Sequence, residues 1–372
     1  MRIAVAGGGI AGLTSAIALA ERGFSVDLYE RAPVLEEIGA GIQLSPNAMA
    51  VLDRLGVTDN LGGRLSEPAA LVIRDAGSGA TLARMPLGKT ARERYGAPYC
   101  TLHRADLQAG LLATARRHAA IALNLGAEVR DVRATETGVS FTAGGEARRS
   151  DVLVAADGVH SAIRTGYFHH PGPVSLRRSA WRTTLPIEAL AGRISPDEVG
   201  LWLGAGAHLV HYSIAGGTRL NVVVIAAGET PTPPLGPLEA LPRLLTDAVS
   251  WQRSPLVGVD ASRTWALGRV ALIGDAAHAM APSAAQGGAQ AIEDAWALAA
   301  SLARDADPTC TLATFAKLRW PRVDRVARMS SRNLKLYEVD GPPAFVRNSL
   351  LRVLPATLML SRIDWLFRAN PQ

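Results

Sequence analysis

The sequence predicts a mixed α/β fold in which a parallel-sheet domain is interleaved with a second, sheet-rich domain and followed by C-terminal helices. Three observations predict it. At the start, an apolar strand runs into Gly7-Gly-Gly-Ile-Ala-Gly12, a helix-spaced segment and a second strand ending at Glu30. Far downstream, Arg269-Val-Ala-Leu-Ile-Gly-Asp275 repeats the strand-then-turn pattern before a glycine-opened apolar helix. Between them, residues 180–263 switch to alternating strands. With 372 residues and 48% hydrophobic content, the chain can bury a large core and exceeds the usual single-domain size.

In chain order, Arg2 to Ala6 is a buried strand, Leu13 to Glu21 a helix and Ser25 to Glu30 a second strand. The glycines have separate physical uses. Gly7 permits the tight turn, Gly9 lets backbone approach a pyrophosphate, and Gly12 lets the helix pack on the strand. Glu30 follows Gly12 at nearly the spacing of a ribose-binding acid. Strand, glycines, helix, strand and acid in register favour an adenosine dinucleotide as ligand.

Gly39 to Asn47 reads as a crossover loop before a helix through Leu55, with Gln43 its one polar side chain in an apolar setting. Leu71 to Arg84 alternates about Gly77-Ser-Gly79 as a hairpin, a first visit to the second domain. Thr101 to Arg104 returns, with Arg104 ahead of a helix over 105–119, where a guanidinium can reach a phosphate or stay at the surface beside Asp106. A small sheet over 127–142 follows. Asp151 to Ala156 is then an apolar strand ending in Asp157-Gly158, where ligands meet such sheets.

Residues 180–185, 199–203, 208–214 and 219–225 are the strands of the second domain, and Leu238 to Val249 a helix. Alternation puts His208, Val210 and Tyr212 on one face and Leu209 and His211 on the other. Leu312 to Leu336 is helical, with Arg319, Arg322, Arg325, Arg328 and Arg332 along one stripe that reads as a solvated or interface face. Arg74, Arg182 and Arg219 sit on second-domain strands, any of them a candidate for a substrate carboxylate. The expected division is 1–70, 97–175 and 264–325 for the first domain, 71–96 and 176–263 for the second, and 326–372 for a C-terminal helical segment.

The formal charge is +6, but the basic residues are scattered, so no nucleic-acid partner is expected. Cys100 and Cys310 are the only cysteines, which excludes a disulfide scaffold and suits a reducing cytoplasm; no metal site is expected. The N-terminus is a strand and turn, not a signal peptide, and no long uncharged apolar run suggests stable membrane association.

The glycine motif with Glu30, Asp157-Gly158, and Gly274-Asp275 followed by Pro282 and Gln286-Gly287 occur here in order. Together they resemble the single-component (class A) FAD-dependent aromatic hydroxylases, across nearly the whole chain. Residues 39–47, Tyr95 to Tyr99 with His103-Arg104, and Gln290 to Asp294 are similar to the branch with salicylate hydroxylase, 3-hydroxybenzoate 6-hydroxylase and 6-hydroxynicotinate 3-monooxygenase. The resemblance implies a Rossmann-like FAD-binding domain of the glutathione reductase type and non-covalent FAD. Gly7, Gly9 and Gly12 would hold the pyrophosphate, Glu30 with Arg31 the adenosine end, and Asp275 the ribityl chain. Gln43, Arg104, Asp157, Pro282 and the backbone at Gln286, Gly287 and Gly288 complete the implied FAD site.

NADH or NADPH would be a transient co-substrate, reducing FAD before O2 adds to give a flavin hydroperoxide that hydroxylates a small aromatic, a hydroxybenzoate or N-heteroaromatic. A phenol needs a base beside it. The family's histidine and tyrosine match His208, implied as base, and Tyr212, implied as a substrate-orienting hydroxyl. Ser213 stands where the family has proline, and the 282–286 loop is small, which implies a roomier pocket. The alternatives are a monooxygenase tailoring a larger polycyclic or isoprenoid compound, and an O2-independent flavin reductase. Either a monomer or a homodimer fits.

Overall fold

Short aliphatic runs that end in glycine or acid build the first sheet. The computed structural model describes residues 1–35, 41–190, 195–236, 250–260, 264–305 and 307–368. Six strands lie in the order Ala266–Leu267, Val270–Leu272, Val152–Ala155, Arg2–Ala6, Ser25–Glu30 and Ile121–Leu125. All neighbours are parallel except the first pair. Its central strands are almost wholly buried, as covered parallel sheets require. Helices Ile10–Ala20 and Gly287–Leu302 pack together against it, with Arg104–Arg117 beside the first. A three-stranded sheet, Glu146–Ser150, Val139–Ala143 and Val129–Ala134, covers part of the sheet, and Tyr29 meets Phe141 edge-on with ring centroids 5.4 Å apart.

Among the described residues the second sheet has seven strands, in the order Gln252–Gly258, Val174–Pro186, Arg219–Ala226, Ala207–Ile214, Glu198–Gly204, Ala70–Asp75 and Thr81–Pro86. Directly paired residues share a face, so register identifies its inner surface. His208 pairs with Ile225, Val210 with Val223 and Leu201, Tyr212 with Asn221, Arg182 with Val223, and Ile73 with Leu201. The chain then runs through three C-terminal helices, Pro308–Tyr337, Gly341–Val353 and Ala356–Phe367; the last two lie against Thr81–Pro86 at the sheet's edge. Among the described residues no helix is long and apolar enough to cross a membrane.

Several expectations need correction. The 39–47 stretch is not all loop: Gly41–Leu44 is a strand antiparallel to Cys100–His103, hidden in the sequence by its shortness and its opening glycine. Ile121–Leu125 and Gln252–Gly258 are edge strands whose exposed positions blur the alternation. The segment after Gly274 starts as a short helix, Asp275–His278. The helix expected over Leu238 to Val249 lies outside the described residues.

On the sheet's other face, His211 is fully buried, and its direct partner is Gly200. A Cβ on Gly200 would stand 1.9 Å from His211 Nε2, so only glycine leaves room for the ring. Burial first, then the cation of Arg74, pushes His211 down from 6.5 to about 3. The folded pKa therefore lies below the unfolded one, and between them the unfolded chain takes up a proton that the folded one refuses. Stability should fall as pH falls from 6.5, by about 1.4 kcal/mol per pH unit from this group. Urea unfolding between pH 6.5 and 5 should show a shallower slope for His211→Gln; equal slopes would remove His211 as the source.

Candidate functional site

Parallel register brings the ends of four strands to one edge. Ala6 pairs with Tyr29 on one side and Ala155 on the other, and Ala155 pairs with Leu272. Gly7, Glu30, Asp157 and Asp275 lie at or just past those strand ends, at the carboxyl edge where open α/β sheets bind ligands. Three cavities open there in series. The first, about 210 Å³, is lined by Gly7, Gly9, Glu30, Arg31, Asp157 and Gly158. The second, about 330 Å³, takes in Gly9, Gln43, Arg104, Asp275, Pro282 and the Gln286–Gly288 turn, and shares Gly9, Ala156 and Gly158 with the first. The third, about 310 Å³, shares Gln43, Val210, Ile225, Pro282, Ala285 and Gln286 with the second.

The glycines divide the labour. Gly7 has φ +107°, and a Cβ there would lie 2.3 Å from the Ala156 carbonyl oxygen. At Gly9, the N-cap of helix Ile10–Ala20, a Cβ would meet no heavy atom within 4 Å. The space beside it, facing the helix amides, suits a pyrophosphate. Gly12 lines neither cavity: its Cβ would lie 1.8 Å from the Gly7 carbonyl oxygen, so it serves the turn's packing and not direct contact with a ligand.

Glu30 accepts from the amides of Gly8 at 2.6 Å and Ala32 at 2.8 Å, which fixes its carboxylate while leaving lone pairs for hydroxyls. Asp157 accepts from the Ile163 amide at 3.3 Å, whereas its other oxygen is buried with no hydrogen-bond partner, and burial raises its pKa. Arg182 stands in the second cavity with Arg104 and Asp275, a charge set suited to a long polar ligand. Gln286 turns its side chain away, donating to Ser45 Oγ at 2.8 Å, which leaves backbone at the N-terminus of Gly287–Leu302 to face the cavity. An elongated cofactor with an anionic centre fits these features.

The third cavity is walled by Leu71, Ile73, Val199, Leu201 and Val210 from the sheet and by Met359, Ile363, Leu366 and Phe367 from the last helix. His208 reaches it, with Nε2 buried and unpartnered and Nδ1 3.2 Å from Glu338 Oε1. Tyr212, its expected companion, lines the second cavity instead; Val210 between them touches both. Tyr99 donates to Gln43 Oε1 at 2.7 Å where the two cavities join. Ser213 is not at the pocket's edge: it donates to the Pro196 carbonyl at 2.9 Å. Of the candidate arginines, Arg74 pairs with Glu198 at 2.6 Å, Arg219 is exposed and Arg182 faces the second cavity. Arg362, which sequence reasoning missed, is the one Lys, Arg, Asp or Glu side chain among the third cavity's described lining residues.

The arginine stripe on the long helix is not all solvated. Arg319 is 4% exposed and donates to Asp294 at 2.8 Å and Glu293 at 2.6 Å. Arg322 grips Glu293 at 2.6 and 2.7 Å. Asp294 also accepts from the Gly274 amide at 3.0 Å and lies 2.5 Å from His278 Nε2. This clamp holds the Gly274-Asp275 turn to the helix that begins at Gly287. Its two acids are sequence neighbours, and its arginines were disguised by a spacing that also fits a solvated face.

Comparison with known proteins shows which family the chain resembles over its length. A family model described as "FAD binding domain" matches residues 1–192 and 240–330. The chain is 35% identical to 3-amino-4-hydroxybenzoate 2-monooxygenase of Streptomyces cremeus, over 99% of this chain and 95% of that one. It is 32% identical to 3-hydroxybenzoate 6-hydroxylase 1 of Aquipseudomonas alcaligenes, over 98% and 97%. Among solved structures, HpxO of Klebsiella pneumoniae complexed with FAD and uric acid superposes with a TM-score of 0.86 at 25% identity, covering 99% of this chain and 96% of that one.

Proposed function

The chain belongs to the FAD-binding-domain family as an FAD-dependent, NAD(P)H-using monooxygenase of the aromatic hydroxylase type, and we propose that its substrate is a small hydroxylated aromatic acid held in the third cavity. One observation carries this reading: an apolar chamber, joined to the second cavity along Pro282 to Gln286, presents one unpartnered imidazole nitrogen and one cation among its described lining residues. Its volume, about 310 Å³, lies at the low end of the roughly 300–1,000 Å³ of ligand sites, which favours a single ring over a polycyclic or isoprenoid substrate.

In this reading FAD runs from the first cavity, at Glu30 and Arg31, past Gly9 to the second, where Arg104, Asp275 and the backbone of Gln286 to Gly288 hold it. When bound, FAD supplies the hydride acceptance from NAD(P)H and the oxygen chemistry with O2. The protein's part is to bind, orient and exclude water. His208 Nε2 takes or shares the phenol proton, which pushes electron density into the ring positions to be hydroxylated. The N-terminus of Gly287–Leu302 and the cations of Arg104 and Arg182 favour negative charge in the second cavity. Tyr212 packs at the second cavity beside Gly41, and so orients the substrate only across the cavities' junction. The free thiols Cys100 and Cys310 suit the cytoplasm.

The two relatives reported above are named for substrates that combine a carboxylate with a ring hydroxyl. Arg362, exposed at the wall of that cavity, is the group we assign to such a carboxylate. A panel of hydroxybenzoates, hydroxynicotinates and purines should show NAD(P)H oxidation and oxygen uptake stimulated by an aromatic acid, whose product gains one oxygen atom. Stimulation without oxygen uptake would favour the O2-independent reductase reading and overturn this one. Arg362→Met should raise KM for the acid about tenfold, the value of one partly solvated charged hydrogen bond, and leave KM for the corresponding phenol without a carboxylate unchanged. Equal KM for the acid in both proteins would remove Arg362 from the site.

A further inference from the structure

His208 sits at the inner end of a chain of buried polar groups that reaches the surface. Its Nδ1 lies 3.2 Å from Glu338 Oε1, and Arg178 Nε donates to Glu338 Oε2 at 2.8 Å. The side chains of His208 and Glu338 are 1% and 4% exposed, that of Arg178 31%. Glu338 follows the last residue of the long helix Pro308–Tyr337, far away in sequence, yet its position is fixed twice. Its carbonyl accepts from the Gly206 amide at 2.9 Å, in the turn that leads into the His208 strand. The ring of Tyr337, the preceding residue, meets the His208 ring edge-on with centroids 5.3 Å apart, and burial pushes its hydroxyl up to about 12, so it stays neutral.

We propose that Glu338 is a positioning residue for hydroxylation, and that it acts through His208. Accepting a hydrogen bond from Nδ1–H fixes the tautomer whose Nε2 lone pair faces the third cavity. When the phenol's O–H bond breaks, its proton passes to Nε2, both electrons stay on the phenolate oxygen, and the imidazolium so formed keeps its own Nδ1 proton, donated in a hydrogen bond to Glu338. The carboxylate thus stabilises charge that appears only as the phenol ionises. Arg178 holds the second oxygen so that the first stays aimed at the ring. The alternative, an acid that merely ties the helix end to the sheet, needs no unpartnered Nε2 in the substrate cavity.

This inference rests on the reading of His208 as the base, and the experiment separates the two. The FAD-loaded enzyme, with His208→Gln, Glu338→Gln and Glu338→Asp variants, is examined by ¹⁹F NMR with a fluorinated analogue of the stimulating hydroxybenzoate, whose chemical shift reports the share bound as phenolate. Turnover and FAD content are read alongside. Glu338→Gln should keep FAD and change KM little. Its kcat should fall at least about tenfold, and the bound phenolate share should fall with it. Glu338→Asp, with the charge kept and the reach shortened, should be intermediate. If His208→Gln lowers both readouts and Glu338→Gln neither, the positioning role is overturned while the base stands. If neither variant changes them, the base reading itself falls. Should Glu338→Gln fail to fold, wild-type readouts for Glu338→Asp would overturn the positioning role.

Discussion

Replacing Asp294 with alanine lowers the free energy of unfolding by about 3–5 kcal/mol, the cost of removing one partner from a buried ion pair. Asp294 is fully buried and accepts from the Gly274 amide, His278 and Arg319 at once. Without it, Arg319 keeps Glu293 but loses half its countercharge, and the Gly274 amide loses its acceptor. Burial alone would raise the Asp294 pKa, but the nearby His278 and Arg319 outweigh it and hold the group below the usual carboxylate range. Its folded pKa is thus depressed, so its contribution is present above the unfolded value near ~3.9 and is lost as pH falls through the folded one. Urea unfolding of the FAD-free protein at neutral pH measures the loss without cofactor linkage. A change under about 1 kcal/mol would show that the clamp is not what holds the Asp275 turn to the helix.

The clamp also marks where sequence reading stops. The glycine turn, Glu30, Asp157 and Asp275 were legible because each lies at the end of an apolar strand, and strands of a parallel sheet bring their ends to one edge. The inner face of the second sheet was legible too, because alternation put His208 and Tyr212 together and His211 opposite. What alternation could not show is where a ligand boundary cuts across that face, so His208 and Tyr212 line different cavities. Arg319 and Arg362 lie on C-terminal helices, and Glu338 just past the end of one, where placement depends on packing across hundreds of residues. Nothing local separates Arg319, buried against two acids, from Arg328, exposed on the same helix.

Two neighbouring glycines should fail in opposite ways when each becomes alanine. Gly9 has φ −75° and ψ −172°, a conformation open to any residue, and its Cβ would touch nothing. The FAD-free Gly9→Ala protein should therefore melt like wild type. Its added methyl group, however, stands where the first two cavities join, so FAD binding should weaken by at least about tenfold, roughly 1.4 kcal/mol. Gly12 is the reverse case. It faces neither cavity, and its Cβ would press on the Gly7 carbonyl oxygen at 1.8 Å, a backbone atom with no side-chain freedom to yield. Overpacking of this kind costs about 1–3 kcal/mol or more, and Gly12→Ala should lose that stability before any ligand is added. Melting temperature without FAD and FAD affinity by quenching of flavin fluorescence separate the two effects. Wild-type FAD affinity in Gly9→Ala would show that the pyrophosphate does not cross the loop there, while wild-type stability in Gly12→Ala would show that the turn is slacker than its geometry implies.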